Sequence, residues 1–173
     1  MPKLSLRLQT IYDHLLPGKP VWDFCCDHGY LGLYAYRVGR FPEVHFVDQV
    51  PEIMARLQTR FETKHLQPAD FPSHAFFHVS AAEKINLPLP GTVVMAGVGS
   101  HTILDFLRAA DFSATDRLIL APQKDEELLL QSLQTVPSVA SSHTLQKNLE
   151  ILEKDRRRTL LILDKMTQDL SHY

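Results

Sequence analysis

VWDFCCDHGYLG, residues 21–32, decides the fold. Val21, Trp22 and Phe24 belong to a short apolar run rich in β-branched and aromatic residues, the composition of a buried strand. Asp27-His28-Gly29 breaks that run, and YLGLYAYRVGR (30–40) follows with helix-like spacing, stopped near Gly39 and Pro42. Strand, tight turn and helix make one βα unit. Two acids mark it: Asp23 inside the strand and Asp27 in the turn. A small or glycine-containing turn at such a place lets a ligand approach the backbone and the positive end of the helix. The plainer alternative is a polar turn with Asp27 as the helix N-cap.

The same unit recurs along the chain. Leu4, Leu8, Ile11, Leu15 and Leu16 predict a first helix from Leu4 to Leu16, ended by Pro17-Gly18. EVHFVD (43–48) is a second strand, and Pro51 opens a helix over 51–66, where its missing N–H is free. Gln67 to Ser73, with Pro68 and Pro72, reads as a flexible surface loop. HAFFHVS (74–80), TVVMAGVGS (92–100) and RLILAP (117–122) are three more strands, with a short helical turn at 81–85 and helices at 101–110 and 124–134. SSHTLQKNLEILEK (141–154) and RRRTLLILDK (156–165) read as an antiparallel hairpin around a charged turn, Lys154 to Arg158. Alternating βα units imply an α/β fold with a mostly parallel sheet and helices on both faces. A closing antiparallel pair is compatible with such a sheet. Residues 1–173 are expected to form a single domain.

Composition narrows the function. The 173 residues are 45% hydrophobic and 22% charged, normal for a folded soluble domain. With 18 Lys and Arg against 20 Asp and Glu, the chain is not a uniformly basic RNA-coating protein, although a local basic face remains open. No apolar run approaches the roughly 20 residues of a membrane span, and the amino end reads as an amphipathic helix rather than a signal peptide. Cys25 and Cys26 are neighbours, an unfavourable geometry for an ordinary disulfide, and no CxxC or HExxH motif is present. A reducing cytoplasm is the expected setting, and no metal is expected.

In open α/β sheets ligands bind beyond the carboxyl ends of the strands, at the switch in strand order. Two further strand ends carry unusual chemistry. Asp48 closes the second strand, 25 residues after Asp23, and in doubly wound nucleotide-binding folds an acid about 20 residues beyond the first turn accepts ribose hydroxyls. Its plainer reading is an N-cap for the helix opened by Pro51. Taken with the first segment at this distance, ribose binding is favoured. Gly97 and Gly99 end the fourth strand and permit close backbone approach, or else form a tight turn capped by Ser100.

KLSLRLQTI, WDFCCDHGYL, VVMAGVGS and RLILAPQK occur together and in order. In this they resemble the bacterial tRNA (adenine-22-N1)-methyltransferase family, which carries an LSxRL start, a DIGxDHxYL turn, an AGMGG turn and an LILQP strand end. The resemblance spans most of residues 3–165. It implies a Rossmann-like class I methyltransferase fold with a seven-stranded sheet, S-adenosyl-L-methionine as cofactor and tRNA as partner. It further implies a short form, without the carboxy-terminal coiled-coil domain usual in that family.

Residue by residue, the resemblance places Asp23, Cys25, Asp27 and Gly29 at the methionine part of the cofactor. Asp23 would act there through its carboxylate and Cys25 through its backbone. It places Asp48 at the ribose, Gln49 beside the adenine, and Ser80 and Ala81 against the adenine ring. Ala96 and Gly97 would lie between the methionine and the methyl acceptor. Cys25 stands where the family has a glycine, so its φ is expected to be negative. Asp27, His28 and Tyr30 are the candidate catalytic residues at the mouth of the site. Asp27 would accept a proton or hydrogen bond, and Tyr30 would stack a base.

For an RNA acceptor, phosphate contacts are expected from Lys3, Arg7, Arg37, Arg40, Arg56, Arg60, Lys64 and the hairpin residues Lys154, Arg156, Arg157 and Arg158. Two other readings stay open: a methyltransferase for a different acceptor, and a binding module that keeps the fold without catalysis. A nicotinamide dehydrogenase is disfavoured by the absent G-x-G-x-x-G fingerprint.

Overall fold

The computed structural model describes residues 3–63 and 73–167. Seven strands form one sheet in the order β3-β2-β1-β4-β5-β7-β6. They are β1 (Val21–Phe24), β2 (Glu43–Asp48), β3 (His74–Val79), β4 (Gly91–Ala96), β5 (Thr115–Ala121), β6 (His143–Glu153) and β7 (Arg156–Lys165). Strands β1 to β5 are parallel, and β7 runs antiparallel to both β5 and β6. The chain winds outward from β1 to β3, then returns across the sheet to β4. The strand order therefore reverses between β1 and β4, which opens a crevice at their carboxyl ends.

The helices are α1 (Leu6–Asp13), α2 (Tyr30–Val38), α3 (Pro51–Thr63), α4 (Ser100–Ala109), α5 (Glu126–Ser132) and α6 (Pro137–Ala140). Alternation along the strands creates two cores. Phe24, Val93, Met95, Leu118 and Leu120 pack with Ile103, Leu107 and Leu129 of α4 and α5. Val21, Val44, Phe46, Val94 and Ile119 pack with Ile11, Leu31, Met54 and Leu57 of α1, α2 and α3. Each fully buried Leu, Ile or Phe stabilises by about 1.5–3 kcal/mol, enough together to carry one unfavourable buried acid in β1.

Several elements differ from the sequence reading. Helix α1 is shorter than 4–16 because Ser5 caps it, its Oγ accepting from the Leu8 N–H at 3.3 Å, and His14 ends it. Asp27 does not cap α2. Gly29 occupies that position with φ 64°, and no side chain caps the helix. Ser100 is not an N-cap either: it is the first residue of α4, buried, and its hydroxyl lies 2.8 and 2.7 Å from the carbonyl oxygens of Lys124 and Asp125. The turn at 81–85 is a 3-10 segment over Ala82–Lys84. The hairpin turn is only Lys154-Asp155, both with positive φ (48° and 60°), the geometry that matches the twist of paired strands. Helix α6 has no counterpart in the sequence reading. Lys64 and the expected loop from Gln67, with Pro68 and Pro72, lie outside the described residues, apart from Ser73.

His74 and His78 stand four apart on β3, and His78 Nε2 is 3.0 Å from His45 Nδ1. Among the described residues no group of three or more His, Cys, Asp or Glu is placed to hold a metal, and no helix is long and apolar enough to cross a membrane.

Candidate functional site

Asp23 lies in the middle of β1, 5% exposed, with its Oδ2 accepting the Gly32 N–H of α2 at 3.1 Å. Desolvation pushes its carboxyl up to about 7, and the nearby charge of Asp48 pushes in the same direction. The Gly32 hydrogen bond works against this but is outweighed.

The turn that follows is unusual in its backbone. Cys25, Asp27 and Gly29 all have positive φ, at 55°, 44° and 64°. This corrects the expectation of negative φ at Cys25. The two side-chain-bearing residues sit in the left-handed region, which is unfavourable by about 1–2 kcal/mol per residue outside glycine. Closure of the turn imposes it: the Gly29 N–H donates to the Cys26 carbonyl at 2.7 Å, and the Cys26 N–H to the Val47 carbonyl at 3.4 Å. The zigzag turns the backbone of residues 25–27 toward the crevice. Burial raises both thiols, Cys25 to about 11, so neither is a ready nucleophile at neutral pH.

Two hollows meet at this turn. The first, about 370 Å³, lies beyond β1, β2 and β3 and is bordered by Cys25, Asp27, Asp48, Gln49, Ser80 and Ala81, with Gly97 at its other side. The second, about 260 Å³, is bordered by Asp23, Cys25, Asp27, His28, Tyr30, Ala96 and Gly97. Cys25, Asp27 and Gly97 border both. Gly97 has φ 82°, and a Cβ built on it would meet nothing closer than Gln123 Nε2 at 3.9 Å, so its α-carbon faces open space.

Asp48 ends β2 and is buried. Its Oδ1 accepts from the Val50 N–H at 3.0 Å, and its Oδ2 from the Asp27 N–H at 3.4 Å. The carboxylate thus braces the approach to α3, close to its expected capping role, and the first turn together. Asp27 and His28 are exposed, with Asp27 Oδ2 3.5 Å from His28 Nε2. Tyr30 is 42% exposed, its ring 5.3 Å from that of His28 and 5.7 Å from the Arg60 guanidinium. That exposure removes simple core packing as the reason for an aromatic here.

Of the residues singled out from the sequence, Asp23, Cys25, Asp27, His28, Tyr30, Asp48, Gln49, Ser80, Ala81, Ala96 and Gly97 border one or both hollows. Gly29 does not: it is buried and shapes the turn from behind. Arg7, Leu8 and Gln123 border the second hollow; the sequence reading named Arg7 only as a phosphate contact and gave Leu8 and Gln123 no role. Gln123 directly follows the β5 segment RLILAP, and that position was its only signal. Arg56 and Arg60 border a further small hollow of about 90 Å³ with Asp27 and His28. Arg157 is turned to Glu150, 3.2 Å away.

The B. subtilis m1A22 tRNA methyltransferase TrmK superposes with a TM-score of 0.76 at 20% identity, covering 94% of this chain and 66% of that one. M. capricolum TrmK in complex with S-adenosyl-homocysteine gives 0.74 at 20% identity, covering 98% and 73%. Magnesium protoporphyrin IX methyltransferase from Synechocystis, with bound SAM, gives 0.64 at 16%, covering 92% and 78%. At these identities the likeness establishes the fold, a Rossmann-like methyltransferase sheet. No curated protein matches the sequence. A sequence profile of the family described as methyltransferase domain matches residues 4–157. The chain therefore belongs to the methyltransferase domain family.

Proposed function

We propose that this protein transfers a methyl group from S-adenosyl-L-methionine to N1 of an adenine in tRNA. The observation that carries the reading is the pair of hollows meeting at Gly97, one with an acid at the end of β2, the other with a buried acid in β1. The residues present fit the cofactor. Asp23 is a desolvated carboxyl whose nearest benefit is a cation, and an α-ammonium group supplies one. Asp48 has acceptor capacity left for ribose hydroxyls beyond its two backbone bonds. Ser80 and Ala81 present backbone at the wall of the first hollow, where an adenine ring fits, with Gln49 beside it. Cys25, Asp27 and Ala96 line the methionine side, and Gly29 holds the turn that presents them.

The cofactor supplies an electrophilic methyl on a sulfonium. The acceptor N1 would take that methyl with its own lone pair, the C–S electrons going to sulfur, so no base is needed to make it a nucleophile. The protein's contribution is therefore mainly alignment. Tyr30 provides an exposed ring for the base, and Gly97 keeps the line between the hollows clear. Asp27 accepts the proton that the methylated base afterwards releases, with His28 beside it. N1 lies on the Watson–Crick edge, so the target base enters unpaired or extruded. The adjacent free cysteines suit a reducing cytoplasm.

The test is calorimetric titration with S-adenosylmethionine and S-adenosylhomocysteine, followed by radiolabel transfer to total tRNA and nucleoside analysis. One-to-one binding and label in N1-methyladenine are expected. Label in another nucleoside sinks the adenine assignment, and no binding at millimolar ligand sinks the enzyme. A second reading, methyl transfer to a non-RNA acceptor, is favoured by the likeness to the protoporphyrin enzyme, and label in small molecules or protein selects it.

A further inference from the structure

Three arginines of this protein stand beside carboxylates. Arg108 is 3.6 Å from Asp105, Arg157 is 3.2 Å from Glu150, and Arg117 is clamped to Asp164 by two hydrogen bonds. Arg7 and Arg158 differ. Arg7 projects from α1 into the wall of the 260 Å³ hollow, and its buried Nε has no hydrogen-bond partner among the described residues. Arg158, on β7, stands just behind that wall: its Nη1 donates to the backbone carbonyl of Gln123 at 3.0 Å, and Gln123 borders the hollow. Among the described residues, neither guanidinium has a carboxylate oxygen within 4 Å. The acid whose charge acts on Arg7 is Glu153. Its Oε1 accepts the Arg7 backbone N–H at 3.3 Å, which docks α1 on the hairpin rather than capping the guanidinium.

We propose that Arg7 and Arg158 form an anion subsite on the acceptor side of the cleft, taking a backbone phosphate of the RNA strand that delivers the target base. This rests on the tRNA reading above and makes it specific. Two guanidinium groups, with Glu153 beside Arg7 as the acid acting on it, leave a net positive charge, and a partly buried donor without a partner is unfavourable until something accepts from it. A phosphodiester suits a guanidinium fork and supplies both the charge and the acceptors. Burial, and to a smaller extent the charge of Arg158, hold Arg7 below its ordinary value against the pull of Glu153, and the same occupant offsets that repulsion. The position also discriminates. The cofactor acids Asp23 and Asp48 lie deeper, so the anion is held at the rim while the base passes inward beside Tyr30.

The test uses full-length protein with Arg7→Gln, Arg158→Gln and, as control, Arg108→Gln at the far end of α4. S-adenosylhomocysteine affinity by calorimetry reports folding and the cofactor site. Fluorescence anisotropy of labelled tRNA between 50 and 200 mM KCl reports phosphate contacts. Each lost phosphate contact lowers the slope of log K against log salt by about one. R7Q and R158Q are expected to lower it by about that amount, to weaken binding roughly tenfold at low salt, and to keep cofactor affinity. R108Q should leave the slope unchanged, and Arg7→Lys, which keeps the charge, should largely restore it. Unchanged slopes in R7Q and R158Q, while wild type binds tRNA, overturn the subsite and leave the acceptor class standing. Cofactor binding by wild type without salt-dependent tRNA binding removes the acceptor class and the subsite with it. R158Q, at a less buried position, decides the matter if R7Q does not fold.

Discussion

The Asp48 carboxylate joins two strand ends: it accepts the Asp27 N–H at 3.4 Å and the Val50 N–H at 3.0 Å. The longer bond bridges the turn after β1 to the end of β2, across the first hollow's floor. Removing the carboxylate therefore loosens the turn as well as the ribose contact proposed for it. Asp48→Ala is expected to weaken S-adenosylhomocysteine binding by about 10- to 100-fold, as for loss of hydrogen bonds to a charged group at about 1.5–3 kcal/mol. Asp48→Asn keeps one acceptor oxygen and should fall between. Calorimetry on the three proteins measures this. Equal affinities would remove Asp48 from the site.

Asp23 predicts how affinity varies with pH. Its folded carboxyl titrates near 7, so below that pH the free protein holds it protonated. A cationic ligand group favours the anion, so binding at lower pH must expel a proton. Affinity is expected to fall as pH drops below 7, approaching tenfold per unit. Asp23→Asn should bind more weakly at pH 8 and lose the slope.

The same residue predicts a stability effect of definite sign. The folded value of about 7 lies above the ordinary 3.8, so between those pH values the folded state holds more protons than the unfolded one. The destabilisation is absent below about pH 4, grows as pH rises, and is complete above pH 7. It corresponds to about 4 kcal/mol at most. His45, His78 and His143, held below their ordinary values mainly by burial, act in the opposite direction. The difference between Asp23→Asn and wild type cancels them. Denaturant unfolding at pH 5 and pH 8 should show the variant gaining at the higher pH. A gain confined to pH 5 would contradict the assignment.

Cys25 stands at φ 55°, which glycine adopts freely. Cys25→Gly and Cys25→Ala both remove the sulfur, so comparing them isolates the backbone. The glycine variant is expected to be more stable than the alanine variant by about 1 kcal/mol, read by urea unfolding.

Gly97 tests whether the two hollows act as one site. Its φ of 82° makes Gly97→Ala strained by about 1 kcal/mol, yet the added methyl meets no protein atom within 3.4 Å. The variant should fold and lose cofactor binding at least tenfold, because the methyl projects where the hollows join. Retained affinity with normal melting would place the ligand elsewhere.

Much of this was legible in the sequence because its signals are local. EVHFVD lies between Pro42 and Pro51, and β2 runs over those residues, Glu43–Asp48. Asp23 and Asp48 could be paired because the spacing of a βα unit is nearly fixed. The backbone at Cys25 was misjudged because side-chain type was taken to set φ, whereas hydrogen bonds closing the turn set it. Helix α6, four residues long, carries no readable period. Arg7 and Gln123 reach the cleft only because α1 docks on β6 and β7 pairs with β5, contacts between segments far apart in sequence.

The place of β7 in the sheet also governs the order in which the protein becomes complete. Last in sequence among the described strands, β7 lies between β5 and β6, pairing Leu118, Ile119 and Leu120 with Leu163, Ile162 and Leu161. Until residues 156–165 leave the ribosome, β5 presents an open apolar edge to every other chain nearby, a template for wrong pairing. A polysome making this protein thus carries a row of sticky nascent edges, each sealed only once residues 156–165 have emerged. Hence slow elongation between residues 121 and 165, or a premature stop before residue 156, favours aggregation over folding.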